Sequence, residues 1–275
     1  MTTNKIGLIA GEGKMPVYIA QKAHAKGFEV YVAGAKGNAR EEDYKNCARV
    51  FQAFRLGQLG AGIRFFREHG VTRVVMAGRV QHTSIFSNLM PDLRGAKFLA
   101  SLKNMQTKNI LSRVMDEFKK DGIEFMNSAL FLEDFMPQPG VLSARKPTEE
   151  ENRVIAFGYK TAKQIAEMDI GLTCVVSQNA VIAVEGMEGT DRCILRAGEL
   201  YRESAEKKSA VAVVKVARPN QDVRYDLPVI GKGTLESLHK AGIGVLAFEA
   251  GKTLVLDLEE VIKLADKYKI CLAAV

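Results

Sequence analysis

Tryptophan is absent from this sequence, and histidine occurs only four times in 275 residues. With no tryptophan and no basic block interleaved with aromatic side chains, the chain lacks a stacking platform for nucleic acid, and no nucleic-acid partner is expected. Cysteine is scarce as well. Cys47, Cys174, Cys193 and Cys271 stand far apart without C-x-x-C spacing, which excludes a zinc ribbon or dithiol redox motif and predicts buried thiols. No apolar run approaches the roughly 18 to 20 residues that a membrane-spanning helix needs. Glu12 and Lys14 interrupt the first apolar stretch too early for a signal peptide, so a cytoplasmic location is expected. Two nucleotide fingerprints are also missing. In "GLIAGEGKMP", Leu8 stands where a Walker A loop needs its first glycine, and Pro16 where a G-x-G-x-x-G turn needs its third. No acid closes the second strand to hold a ribose, so hydride transfer is disfavoured.

What remains is an ordinary globular composition, 47% apolar and 26% charged, with a net charge of +7 spread along the chain. A dispersed basic excess suits a phosphorylated ligand or an anionic membrane surface. Short apolar runs, "KIGLIA", "FEVYVA", "RVFQAF" and "VTRVVMAG", alternate with amphipathic stretches, as parallel strands and their crossover helices do. Proline and glycine crowd "FMPQPGVLSARKP", and Thr148 and Glu151 then form a capping-box pattern that opens a helix. The rhythm resumes with "LTCVVS", "AVIAV", "AVAVVKVA", "VLAFEA", "TLVLD" and "ICLAAV". The expected fold is therefore α/β with two α/β domains: residues 1–137 as a Rossmann-like parallel sheet, 138–147 as a linker, and 148–275 as a second α/β domain carrying the chemistry, with a cleft between them.

Several segments have the makings of a site. Gly11 and Gly13 could bring backbone N–H groups to a phosphate at a helix start, although a tight strand-to-helix turn would need the same glycines. Gly78 and Arg79 follow the fourth strand, where open α/β sheets bind ligands; Arg79 is either a phosphate fork or a surface arginine. His82 is read as a loop residue, and His24, His69 and His239 are given no role. Met105, Met115, Phe118, Phe125, Met126, Phe131, Phe135 and Met136 could line an acyl pocket, but core packing is the simpler expectation.

Two segments ask for more. In "AVEGMEGTDR", an N-cap explains Thr190 or Asp191, but not Glu185 and Glu188 as well. Carboxylates beside a helix N-terminus suit Mg²⁺ together with phosphate. "KVARPNQDVRYDLPVIG" then concentrates Lys215, Arg218, Asp222, Arg224 and Asp226 after another strand. Cations to neutralise phosphate oxygens and a carboxylate to orient water are what pyrophosphate cleavage requires, although a solvated loop has a similar composition.

On "IGLIAGEGKMP", "PDLRG", "RKPTEEE", "AVEGMEGTD" and above all "RYDLPVIG", nearly the whole chain resembles the LpxI-type UDP-2,3-diacylglucosamine pyrophosphatases of Gram-negative lipid A biosynthesis. Glu12 departs from that family's glycine run, and "GRVQHTSIF" lacks the proline expected after its strand. The resemblance implies a cytoplasmic enzyme peripheral to the inner membrane, which uses Mg²⁺ to split a lipid-linked UDP-sugar into UMP and 2,3-diacylglucosamine 1-phosphate. It also implies a homodimer of two-domain subunits. Asp226 matches the family's essential aspartate, and Glu188, Gly189, Thr190 and Asp191 match its phosphate-binding segment. On this reading Asp226 positions or deprotonates the attacking water, and Asp191, Glu185 and Asp226 hold the metal or its water shell. Thr190 and Lys215 contact the pyrophosphate, and Gln178 reaches the same cleft. A non-catalytic nucleotide-sugar or lipid-binding module and a nucleotide-dependent transferase are the alternatives.

Overall fold

The computed structural model describes residues 4–78, 90–102, 107–127, 129–178, 180–203, 209–219, 224 and 227–275. The chain divides into two compact units, one principally of residues 1–132 and the other principally of residues 133–275.

In the first unit, Lys5–Ala10 (β1), Glu29–Ala35 (β2), Ala48–Phe54 (β3), Arg73–Ala77 (β4) and Glu124–Phe125 (β5) form one sheet in the order β3-β2-β1-β4-β5. Every pairing is parallel. β1, β2 and β4 are near-continuous apolar runs because helices cover both faces of such a sheet. The crossovers carry Lys14–Ala25 (α1) and Leu59–Glu68 (α2), followed by Leu93–Ala100 (α3) and Thr107–Lys119 (α4). Pro16 lies in the first turn of α1, where a missing N–H costs no helical bond. This is the doubly wound arrangement that the sequence predicts.

The methionine- and phenylalanine-rich stretch supplies core. Met115, Phe118 and Phe131 are buried, and Phe118 meets Phe125 edge-on with ring centroids 5.1 Å apart. Met105 lies outside the described residues.

The second unit departs from simple βα alternation. Its strands are Gly140–Val141 (β6), Thr173–Ser177 (β7), Ala180–Val184 (β8), Val211–Lys215 (β9), Val245–Phe248 (β11) and Cys271–Ala274 (β13). They form a mixed sheet ordered β6-β13-β11-β9-β7-β8, while Val229–Ile230 (β10) and Leu254–Val255 (β12) pair separately. Only two residues separate β7 from β8, too few for a parallel crossover of a dozen or more. The two strands therefore make an antiparallel hairpin, with Gln178 at φ +48 in its turn. β7 is also antiparallel to β9. β6 lies inside the segment expected to be a linker and pairs antiparallel with β13, so residues 140–141 are a sheet edge.

Among the described residues, four helices cover this sheet: Glu149–Glu167 (α5), Thr190–Glu203 (α6), Lys232–Ala241 (α7) and Leu258–Lys267 (α8). α5 opens with the predicted capping box, in which Thr148 Oγ1 accepts from Glu151 N at 3.2 Å and the Thr148 amide donates to Glu151 Oε2 at 2.8 Å. Alternate strand residues serve opposite faces. Val175, Val213, Leu246 and Leu272 pack with α6, α7 and α8, whereas Cys174, Val214, Ala247 and Cys271 pack with α5. All four cysteines are buried and free, as their spacing predicts.

Candidate active site

Strand direction brings the second unit's polar residues together. β9 and β8 both run antiparallel to β7, so their C-terminal ends lie at the same edge of the sheet. Thr173, the first residue of β7, stands between those ends. It is in register with Lys215, and its carbonyl accepts from Glu185 N at 2.9 Å. Side chains alternate across a strand, so Lys215 shares the face of Val213, and Glu185 that of Ala183, the face covered by α6.

The result is a line of three groups. Lys215 Nζ donates to Thr190 Oγ1 at 2.7 Å, and Thr190 Oγ1 lies 2.8 Å from Glu185 Oε1. An ammonium has no lone pair to accept a hydrogen bond, so the single threonine proton must point at the carboxylate. Lys215 is only 7% exposed. A buried cation acts on neighbouring anions through a lower effective dielectric than water does, which strengthens its pull. The Thr173 hydroxyl is fully buried beside this line and has no hydrogen-bond partner among the described residues.

The turn between β8 and α6 is built to present a helix start. Glu188 Oε2 accepts from Gly186 N at 3.0 Å, while Arg196 donates to Glu188 Oε1 at 2.7 Å and to the Val184 carbonyl at 2.9 Å. The hydrogen bond from Arg196, with help from backbone amides, holds the Glu188 carboxyl below its usual range. Gly189 has φ +83 with open space above it, then α6 begins at Thr190. Asp191 is exposed, and its Oδ1 accepts from Thr234 Oγ1 in the first turn of α7 at 3.4 Å. The starts of α6 and α7 therefore lie together, and their free N–H groups and dipoles favour an anion.

Glu185 is held by its neighbours. Leu172 N donates to its Oε2 at 3.4 Å, and a Cβ on Gly171 would lie 2.0 Å from the Glu185 carbonyl oxygen. Gly171→Ala is expected to cost about 1–3 kcal/mol, as overpacking against unyielding backbone does. A urea unfolding series checks this, and an unchanged midpoint would show that the backbone there yields freely.

Residues 5–135 match the LpxI N-terminal domain and residues 138–273 the LpxI C-terminal domain. The chain belongs to the LpxI family. It is 36% identical over 269 residues to the UDP-2,3-diacylglucosamine pyrophosphatase LpxI of Caulobacter vibrioides, covering 95% of this chain and 94% of that one. A solved structure of MurG from Acinetobacter baumannii aligns with 98% of this chain and 86% of its own, at 11% identity and a TM-score of 0.28, a likeness too slight to bear on fold or function.

Not every residue singled out in the sequence joins the Lys215–Thr190–Glu185 cluster. Gln178 does not. It follows the C-terminal end of β7, whereas Lys215 faces the N-terminal end, and Gln178 Nε2 donates instead to Ser209 Oγ at 3.1 Å. The antiparallel course of β7 separates them by roughly the length of the strand, about 14 Å.

In the first unit, Gly11 N donates to Ala77 O at 2.8 Å. Gly78 has φ +92, and a Cβ there would lie 2.7 Å from the Gly11 carbonyl carbon and 2.9 Å from the Glu12 oxygen. Close approach of two backbone turns thus accounts for Gly78. Gly13 caps α1 with φ +108 and open space around it. Arg79, His82 and Asp226 lie outside the described residues.

Among the described residues, no group of three or more His, Cys, Asp or Glu is placed to hold a metal ion. Glu185, Glu188 and Asp191 stand beside the start of α6; the Glu185 oxygens already accept from Thr190 and Leu172, and those of Glu188 from Arg196 and Gly186. Such a donor set fits Mg²⁺, which takes one or two carboxylates together with substrate phosphate oxygens and water, better than a metal needing a full protein cage. Sequence reasoning missed Thr173 and Thr234. A threonine opening an apolar strand or a helix turn reads as ordinary β-propensity or capping, and only strand register sets Thr173 opposite Lys215.

Proposed function

We propose that this chain is a UDP-2,3-diacylglucosamine pyrophosphatase, hydrolysing its substrate to UMP and 2,3-diacylglucosamine 1-phosphate. Family membership supports the reaction, and the observation that carries it to particular atoms is the Lys215–Thr190–Glu185 line at the start of α6. A diphosphate laid across the starts of α6 and α7 meets backbone N–H groups, and Lys215 neutralises charge on its oxygens. Glu185 fixes the Thr190 proton, so that the hydroxyl keeps one orientation as the substrate arrives. Asp226 takes a proton from the attacking water. The water oxygen bonds to one phosphorus, the bridging P–O bond breaks, and the bridging oxygen leaves with the departing phosphate. When bound, Mg²⁺ would be held by Asp191 and Asp226, with Glu185 in its water shell, and would supply charge neutralisation to the diphosphate.

Incubation of the purified protein with UDP-2,3-diacylglucosamine and Mg²⁺ tests the assignment. Release of UMP without any acceptor is the expected result. Binding without turnover would assign a binding module instead, and an absolute need for an acceptor would assign a transferase. Omission of Mg²⁺ with EDTA present is expected to abolish release, and undiminished release would remove the metal from the scheme.

The enzyme reaches its lipid substrate from the membrane surface as a homodimer. No helix among the described residues is long and apolar enough to cross a membrane. The net charge of +7 supplies attraction to anionic headgroups. Flotation with anionic vesicles is expected at low salt and to be lost at high salt, where screening is stronger. No flotation at either salt concentration would reject surface attraction, and a monomeric mass by light scattering would reject the dimer.

A further inference from the structure

Glu249 lies just beyond β11, is 5% exposed, and has no part in the chemistry described above. Its neighbour β9 is parallel to β11, with Phe248 in register with Lys215. The Glu249 amide donates to the Lys215 carbonyl at 3.0 Å, and its Oε2 accepts from Ala217 N at 2.9 Å. Lys163 of α5 completes the grip. Its Nζ donates to the Ala217 carbonyl at 2.8 Å and to Glu249 Oε2 at 3.0 Å. The backbone from Lys215 to Ala217 is thus held at three polar groups by one ion pair and its own amide.

The two ends of that backbone matter for different reasons. Lys215 projects towards α6, on the face of Val213, while Glu249 shares the α5 face of Ala247. The pair therefore grips the strand from the side opposite Thr190. Ala217 begins the segment that carries Arg218 and, nine residues on, Asp226.

Resting on the proposed pyrophosphatase reading, we infer that Glu249 and Lys163 are positioning residues, which hold the backbone from Lys215 to Ala217 at the end of β9 so that Lys215 meets Thr190. Lys252 supplies an internal control. It donates to Glu249 Oε1 at 2.8 Å, but its side chain is 57% exposed and no bond from it to Ala217 is formed. Burial alone would push the Glu249 carboxyl up. Hydrogen bonds from Lys252, Lys163 and the Ala217 amide outweigh it and hold that carboxyl below its usual range, so the grip stays charged at neutral pH.

The test compares Glu249→Ala, Glu249→Gln, Lys163→Met and Lys252→Met in the full chain. UMP-release kinetics and amide hydrogen exchange are read on the same preparations. Glu249→Ala and Lys163→Met are each expected to lower kcat roughly 100-fold, the scale of a misplacement near 1 Å, and Glu249→Ala to speed exchange at Ala217. KM is expected to move less than about threefold, and Lys252→Met to stay within about twofold of wild type in both constants. Glu249→Gln keeps an acceptor for Ala217 and should fall between wild type and Glu249→Ala. Folded Glu249→Ala and Lys163→Met proteins with wild-type kcat would overturn the inference. So would an equal loss in Lys252→Met, which would mark a general charge effect. If Glu249→Ala does not fold, Lys163→Met decides. If the wild type releases no UMP, the pyrophosphatase reading falls instead, and unaltered Ala217 exchange in folded Glu249→Ala would dismiss the grip separately.

Discussion

Lys215→Met should lower kcat by about 10² to 10³, the usual cost of removing one preorganised donor to a developing oxyanion. The loss follows from geometry. Lys215 is the cation of the hydroxyl–carboxylate line at the start of α6, and it approaches Thr190 Oγ1 to 2.7 Å. Methionine keeps the volume and apolar stem but removes the charge. Stability is expected to fall, because removing the cation leaves the Thr190 hydroxyl and the Glu185 carboxylate without their buried partner. Turnover is therefore compared at a temperature where the melting curve shows the variant folded. Lys215→Arg should not restore activity, since a planar fork does not occupy the space of a compact ammonium. Thr190→Val combined with Lys215→Met should be markedly less than additive, as expected of groups that act as one unit. UMP release measured beside a melting curve checks these variants together with Thr190→Val alone, which the additivity comparison requires. Turnover in Lys215→Met within threefold of wild type would falsify the role given to this line.

Asp226→Asn should lower kcat by about 10² to 10⁴, the range for loss of a general base, while affinity for UMP and the melting temperature change little. Asparagine preserves shape and still accepts a hydrogen bond, but it cannot take a proton from water or offer a full charge to a cation. Asp226 stands in "RYDLPVIG", where the chain resembles its family most specifically. Asp191→Asn makes a useful companion. If Asp191 serves chiefly as a metal ligand, raising Mg²⁺ should recover part of its activity, whereas Asp226→Asn should respond far less. Equal recovery in both would assign Asp226 to the metal alone, and wild-type turnover in Asp226→Asn would remove it from the reaction.

Much of this was legible in the residues because the signals are local. Apolar runs punctuated by glycine and proline mark the parallel strands and helices of the first unit. Thr148 and Glu151 sit three apart, as a capping box needs, and it forms. Thr190, preceded by Gly189, opens α6 where the sequence places a helix start. Family membership too lies in the order of residues, and the domain matches from 5–135 and 138–273 cover nearly all of the chain.

Strand direction and neighbour order were not legible, because hydrophobic period reports which face a residue takes and says nothing of which strand lies beside it. "LTCVVS" and "AVIAV" read as further strands of an alternating fold, and only the pairing makes them a hairpin that carries Gln178 away from Lys215. Gly140–Val141 is too short to stand out among prolines, yet it edges the second sheet. The sequence by itself determined the family, the two-part α/β plan and the acidic and basic segments to which the chemistry is assigned in our proposal. Only the tertiary structure decided that Glu185, Thr190 and Lys215 form one line and that Glu249 and Lys163 grip its strand from behind. Apart from the local Thr190–Glu185 bond, those contacts join residues 25 to 86 positions apart, and no local pattern encodes a meeting that depends on the direction of every strand between them.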